Sequence, residues 1–136
     1  MQELVRSFPC QVEALPVLRL TVEQWLVTNA IDVDTRAAAI LAAHEAAANA
    51  IEHGQCGEIE LEARLEPEHM IYLEVRADGT WKPPSTENDE RGRGLQLIHG
   101  LMESVAIDTH PERTIIRMRR RYSRIRRKSS IQRAVA

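Results

Sequence analysis

The stretch "DTRAAAILAAHEAAANAIEH" (residues 34–53) decides how the rest of the chain is read. It contains neither glycine nor proline and is dominated by alanine, the best helix former. Asp34 can cap its start and Gly54 can end it. At 3.6 residues per turn, Ile40, Ala47 and Ile51 share one face. Glu45, Asn49 and Glu52 lie on the other side, with His53 beside them. Alanine side chains let such a helix sit close against its neighbours.

Moving outward, "LPVLRLTVEQWLVTNA" (15–30) predicts a second helix, with Pro16 in its first turn. Leu18, Val22, Trp25 and Asn29 form one face. Val17, Leu20 and Val27 are apolar off that face, so this helix is either deeply buried or shared with a partner, and a domain this small favours the partner. "ELVRSFP" (3–9) alternates as a short strand. On the C-terminal side, "EIELEARL" (58–65) and "MIYLEVRA" (70–77) alternate with period two and read as a hairpin around "EPEH". Residues 79–91 are polar and broken by prolines, hence a loop. A short helix follows over 94–101, then a second hairpin from "SVAID" (104–108) and "TIIRMRRR" (114–121). This order predicts an α+β, two-layer α/β sandwich with a mixed, mostly antiparallel sheet and helices on one face.

The chain has 136 residues and 43% hydrophobic content, enough for one domain with a real core, although aromatics make up only 4%. The longest apolar run, "AAAILAA" (37–43), is far too short to cross a bilayer. No signal peptide is evident, so the expected location is cytoplasmic, with no membrane partner. Cys10 and Cys56 show no ligand-like spacing and are expected as reduced thiols. Residues 1–112 carry 20 acidic and 8 basic side chains, whereas residues 113–136 carry 10 basic and none acidic. The stretch 122–136 is read as a basic, solvated tail that continues the last strand, and nucleic acid is not an expected partner.

Three constellations carry chemistry. Glu45 and Asn49, spaced i and i+4, put a carboxylate and a carboxamide on one helix face. A carboxamide oxygen suits Mg²⁺, and a carboxylate can take a proton from an attacking hydroxyl. Asp78-Gly79 closes a strand as a turn dipeptide. In "RGRGL" (91–95), Gly92 and Gly94 leave backbone N–H groups uncovered at a helix start, where they and the helix dipole favour phosphate.

Taken in order, these pieces resemble the GHKL ATPase superfamily. "HEAAANAIEHG" (44–54) resembles its N-box, "ADGTWKPP" (77–84) its first glycine box and "RGRGLQLIHGLMESVAID" (91–108) its second. Within the superfamily the chain is most similar to bacterial anti-sigma factor serine/threonine kinases. The resemblance implies a Bergerat ATP-binding fold over residues 1–121 and the cofactors ATP and Mg²⁺. It implies that Asn49 coordinates Mg²⁺ and that Glu45 is the general base for a substrate serine. His53, Asp78, Gly79, Gly92, Arg93, Gly94, Leu95 and Thr114 would contact the nucleotide, with residues 80–91 as a lid. The implied partners are a sigma factor, a STAS-type anti-anti-sigma protein, or both, and a second copy of the chain in a homodimer.

One departure bears on the site. The family's first glycine box opens with an Asp that accepts the adenine amino group, and aligned on Gly79 that position is Ala77. Either the strand end is bulged and Asp78 turns inward, or adenine loses its main polar anchor. The second case leaves a catalytically weak or dead partner-binding module as the alternative function.

Overall fold

The structure, a computed structural model, describes residues 3–53, 56–79 and 92–125. Its elements are β1 (Glu3–Pro9), α1 (Ala14–Thr28), α2 (Val33–His53), β2 (Glu58–Glu66), β3 (Met70–Asp78), α3 (Gly92–Leu101), β4 (Ser104–His110) and β5 (Arg113–Arg121). The strands form one five-stranded sheet in the order β1-β2-β3-β5-β4. Every ladder between them is antiparallel, so the parallel pairing that a mixed sheet allows is not found among the described strands.

Strand alternation sorts the sheet into two faces. Phe8, Ile59, Leu61, Ala63, Ile71, Leu73, Val75, Ala77, Ile116 and Met118 form a buried core with α1, α2 and α3. Helix α1 contributes Leu18, Val22, Trp25 and Leu26, and leaves Val17, Leu20 and Val27 each more than half exposed. Its apolar surface is therefore divided, one stripe to the core and one to solvent, as its all-round hydrophobicity predicts. In α2 the alanines at 39, 42, 43, 46, 47 and 50 are fully or almost fully buried, so small side chains let the helix lie tightly on the sheet.

Among the described residues no helix covers the opposite sheet face, which carries an ion network instead. Tyr72, Glu74 and Ile115 are buried there. The guanidinium groups of Arg64 and Arg119 lie 3.9 and 4.6 Å from the Tyr72 ring centre. The Tyr72 hydroxyl donates to Glu74. Burial, then the Glu74 carboxylate, push the phenol up to about 12. Arg119 pairs with Glu66 at 2.8 Å, Arg76 with Glu60 at 2.6 Å and with Glu74 at 3.0 Å, and Arg117 with Asp108. The Arg119 hydrogen bond holds the Glu66 carboxyl below the usual carboxylate range. Much of the arginine run in β5 is thus matched by acidic residues of β2, β3 and β4.

Two expectations are corrected at the chain turns. The cap of α2 is Asp32 rather than Asp34: its Oδ2 accepts the Thr35 N–H at 3.1 Å. Asp34 instead adds a negative charge to the first turn, where the helix dipole favours it. The chain after β5 does not prolong the strand. Tyr122–Ile125 folds back on the α1–α2 turn, where Ser123 N–H donates to Asp32 Oδ1 at 2.8 Å and Ile125 N–H to the Ala30 carbonyl at 2.7 Å. Residues 126–136 lie outside the described residues, as does Gly54.

The cysteines are also corrected. Cys10 and Cys56 form a disulfide, with Cα atoms 5.8 Å apart. Antiparallel pairing of Pro9 with Glu58 brings the two sequence positions side by side, a proximity that no spacing rule reveals. Closing so long a loop removes about 4 kcal/mol of chain entropy from the unfolded state.

Candidate functional site

Helix α2 carries the first two candidates. Glu45 is half-buried. Asn49, one turn later, is only 4% exposed, and its Nδ2 has no hydrogen-bond partner among the described residues. A buried amide donor without a partner costs about 1–3 kcal/mol, so its retention calls for an explanation. A ligand that enters the site and engages the carboxamide, directly or through water, supplies one. The Oδ1 and Nδ2 ends exchange by a half-turn, so the same group can offer an oxygen to a hydrated cation or an N–H to a phosphate oxygen.

Helix α3 begins at Gly92 and packs against α2. Its first four residues are Gly92, Arg93, Gly94 and Leu95, the positions whose N–H groups have no intrahelical acceptor. The Leu95 side chain is 7% exposed and enters the core cluster that also holds Ala46, Ala47 and Ala50 of α2. That packing fixes the helix start on the flank of α2, so any contact of Leu95 with phosphate is made by its backbone. The side chains of Arg93 and His53, and all of residues 80–91 with Trp81, lie outside what the structure describes.

The sheet forms the floor. Thr114 of β5 is 1% exposed and pairs directly with Ala77 of β3, itself 2% exposed. The β3–β5 register runs unbroken from Met70–Arg121 to Asp78–Arg113, without a bulge. Ala77 therefore faces the helices and Asp78 faces away. Its Oδ1 accepts the N–H groups of Gly57 at 2.9 Å and Glu58 at 3.0 Å, which ties the start of β2 to the end of β3. Of the two alternatives posed by the sequence, the structure shows the one in which Asp78 does not turn inward and its carboxylate is engaged by backbone amides. Gly79 follows with φ 96°, a conformation open to glycine, and its N–H donates to the Glu112 carbonyl at 2.8 Å.

His44 is half-buried, and its Nδ1 lies 2.9 Å from Arg19 Nη1 of α1. The guanidinium can only donate, so Nδ1 is unprotonated. Burial first, then the Arg19 charge, hold the imidazole below its usual range, and Glu45 opposes them. A histidine whose folded value is depressed adds stability that is complete above about pH 6.5 and is lost as pH falls through the folded value. Between pH 7.5 and 5, the urea midpoint of the wild type is expected to fall further than that of His44→Gln, which keeps an acceptor but cannot titrate. Equal falls would remove His44 from the account.

The histidine kinase-like ATPase domain family matches residues 8–120. The chain belongs to this family. No curated protein matches the sequence. Among solved structures, the chain is similar to the crystal structure of the RsbU and RsbW domains of Rv1364c from Mycobacterium tuberculosis. Identity is 21% and the TM-score 0.76, a likeness that concerns the fold. The match covers 96% of this chain and 35% of the other, so the chain spans about a third of that protein's length. Among the described residues, no helix of this ATPase-type domain is long and apolar enough to cross a membrane.

The residues present fit the two ends of a nucleotide unequally. On the α2 side stand the buried Asn49 side chain, whose Nδ2 has no partner among the described residues, and the first amides of α3, which have no intrahelical acceptor. On the sheet side stands the methyl group of Ala77, which would offer no acceptor to an exocyclic amino group.

Proposed function

We propose that this domain is an Mg-ATP-dependent protein serine kinase and anti-sigma factor of the cytoplasm. In this reading it sequesters a sigma factor or similar regulator and phosphorylates a serine on a STAS-type anti-anti-sigma antagonist. The observation that carries the proposal is the buried Asn49 side chain, whose Nδ2 has no partner among the described residues, one helical turn from Glu45 and on the helix against which α3 packs. A fold shared with an RsbW domain supports it.

Bound Mg-ATP would supply the phosphoryl group. Asn49 would hold the metal through Oδ1, which suits a cation that keeps most of its waters. The amides at the start of α3 would orient the phosphates and offset charge as it spreads over the transferring group. Glu45 would accept the proton of the substrate serine hydroxyl at its carboxylate. His53, Gly79 and Thr114 would line the nucleotide, with Thr114 beneath the base. The exposed Val17, Leu20 and Val27 stripe supports a protein partner on α1, either a second copy or the sigma factor.

A second reading is favoured by one observation: Asp78 is committed to the Gly57 and Glu58 amides, leaving Ala77 at the base. The domain would then hold partners through protein contacts alone. Transfer of labelled γ-phosphate from Mg-ATP to a STAS-type antagonist tests the kinase reading. Labelling is expected, and its absence at millimolar Mg-ATP would favour the non-catalytic module.

A further inference from the structure

We propose that the Cys10–Cys56 pair is a reversible redox site that sets how firmly the site end of α2 is held. The two residues join the chain just after β1 to the segment between α2 and β2. Four ties converge there: the disulfide, the Cys10 N–H donating to the Gly57 carbonyl at 3.1 Å, and the Gly57 and Glu58 N–H groups donating to Asp78. Cys56 Sγ also lies 3.7 Å from the carbonyl of Ala50, the residue after Asn49. The bond therefore anchors the last turn of the helix that bears Asn49, at the end of the sheet where Ala77 and Thr114 lie.

Three features favour a switch over a structural staple. The domain has an extensive core of its own and is well above the size that needs covalent help. Both cysteines are half-buried, within reach of a small thiol reagent. The Ala50 carbonyl already stands where the Cys56 S–H of the reduced form can donate, so reduction leaves an ordered alternative.

The chemistry is thiol–disulfide exchange with a dithiol. A reductant thiolate attacks one cysteine sulfur, the S–S bond breaks, and a mixed disulfide forms. The second reductant thiolate resolves it and leaves as a cyclic disulfide. The two electrons and two protons of the dithiol end on the Cys10 and Cys56 thiols. An effect on nucleotide binding rests on the proposed function above; the stiffening of α2 does not.

The test is hydrogen exchange read by mass spectrometry on the full chain, oxidised and after dithiothreitol, with thiols counted by alkylation. In the oxidised protein both cysteines should resist alkylation. On reduction, amides of residues 47–53 should exchange at least about 10-fold faster, while those of residues 71–76 in β3 stay protected. The melting point should fall by roughly 10–15 °C, and oxidised glutathione should reverse all three changes. The Cys10→Ser/Cys56→Ser double variant should match the reduced protein in either buffer; if it does not fold, the reduced wild type decides alone. Cysteines that alkylate freely without reductant would overturn the proposal. So would equal α2 exchange in both states, or exchange at residues 71–76 that becomes as fast as at residues 47–53, which would leave no local effect on α2. Because this readout needs no ATP, its failure is distinct from a failure to bind nucleotide.

Discussion

Replacing Glu45 by alanine should lower phosphoryl transfer to the antagonist serine by about 10²- to 10⁴-fold while changing ATP affinity by only a few-fold. The expected loss corresponds to about 3–5.5 kcal/mol on the barrier. Glu45 is half-buried and not part of the hydrophobic core, so the substitution should leave the fold intact. Asn49, a turn away, would still hold the metal, which is why binding and transfer should separate. Glu45→Gln should behave like Glu45→Ala, because the amide keeps the shape but cannot take the proton. Single-turnover transfer and equilibrium ATP binding, measured on the same preparations, check both halves. Transfer at the wild-type rate in either variant would remove Glu45 as proton acceptor.

Restoring a carboxylate at the base end should have the opposite sign. Ala77→Asp is expected to raise ATP affinity roughly 5- to 150-fold, the worth of one hydrogen bond of about 1–3 kcal/mol in a buried site. The same variant should be less stable without nucleotide, since Ala77 is 2% exposed and a carboxylate placed there is desolvated. Calorimetry with Mg-ATP measures the first effect and thermal unfolding the second. If the wild type binds weakly or not at all and Ala77→Asp binds tightly, the pocket is intact and lacks only its anchor. An unchanged affinity would mean that the base does not reach Ala77, which would favour the non-catalytic module.

The fold was largely legible because its patterns are local. Period-two alternation located β2 and β3, and the alanine-rich 3.6-residue pattern located α2. The same alternation left only two routes for Asp78, and an unbroken β3–β5 register selects the outward one. What could not be read depends on contacts between distant positions. Asp32 and Asp34 are equally good caps in sequence. The choice falls to Asp32, whose other oxygen is engaged by Ser123 from the segment that folds back after β5. Alternation placed residues 114–121 in a strand, but charge counts do not say which acidic residues lie beside its arginines. Arg117 and Arg119 are in fact paired with Asp108 and Glu66. The disulfide follows from the β1–β2 register, which no cysteine spacing encodes. At the site, the i and i+4 spacing showed that Glu45 and Asn49 share a face. Only the structure shows that Asn49 is buried with Nδ2 unpartnered, and that Leu95 packs its side chain into the core.

The most direct test of the account is a titration of isotopically labelled protein with Mg-ATP, followed by two-dimensional amide spectra. If one triphosphate bridges α2 and the start of α3, the Asn49 side-chain amide and the backbone amides of residues 92–95 should shift together along one saturating curve. Asn49→Ala should abolish the shifts at residues 92–95. Shifts confined to one of these groups, or shifts at residues 92–95 that persist unchanged in Asn49→Ala, would contradict a shared site.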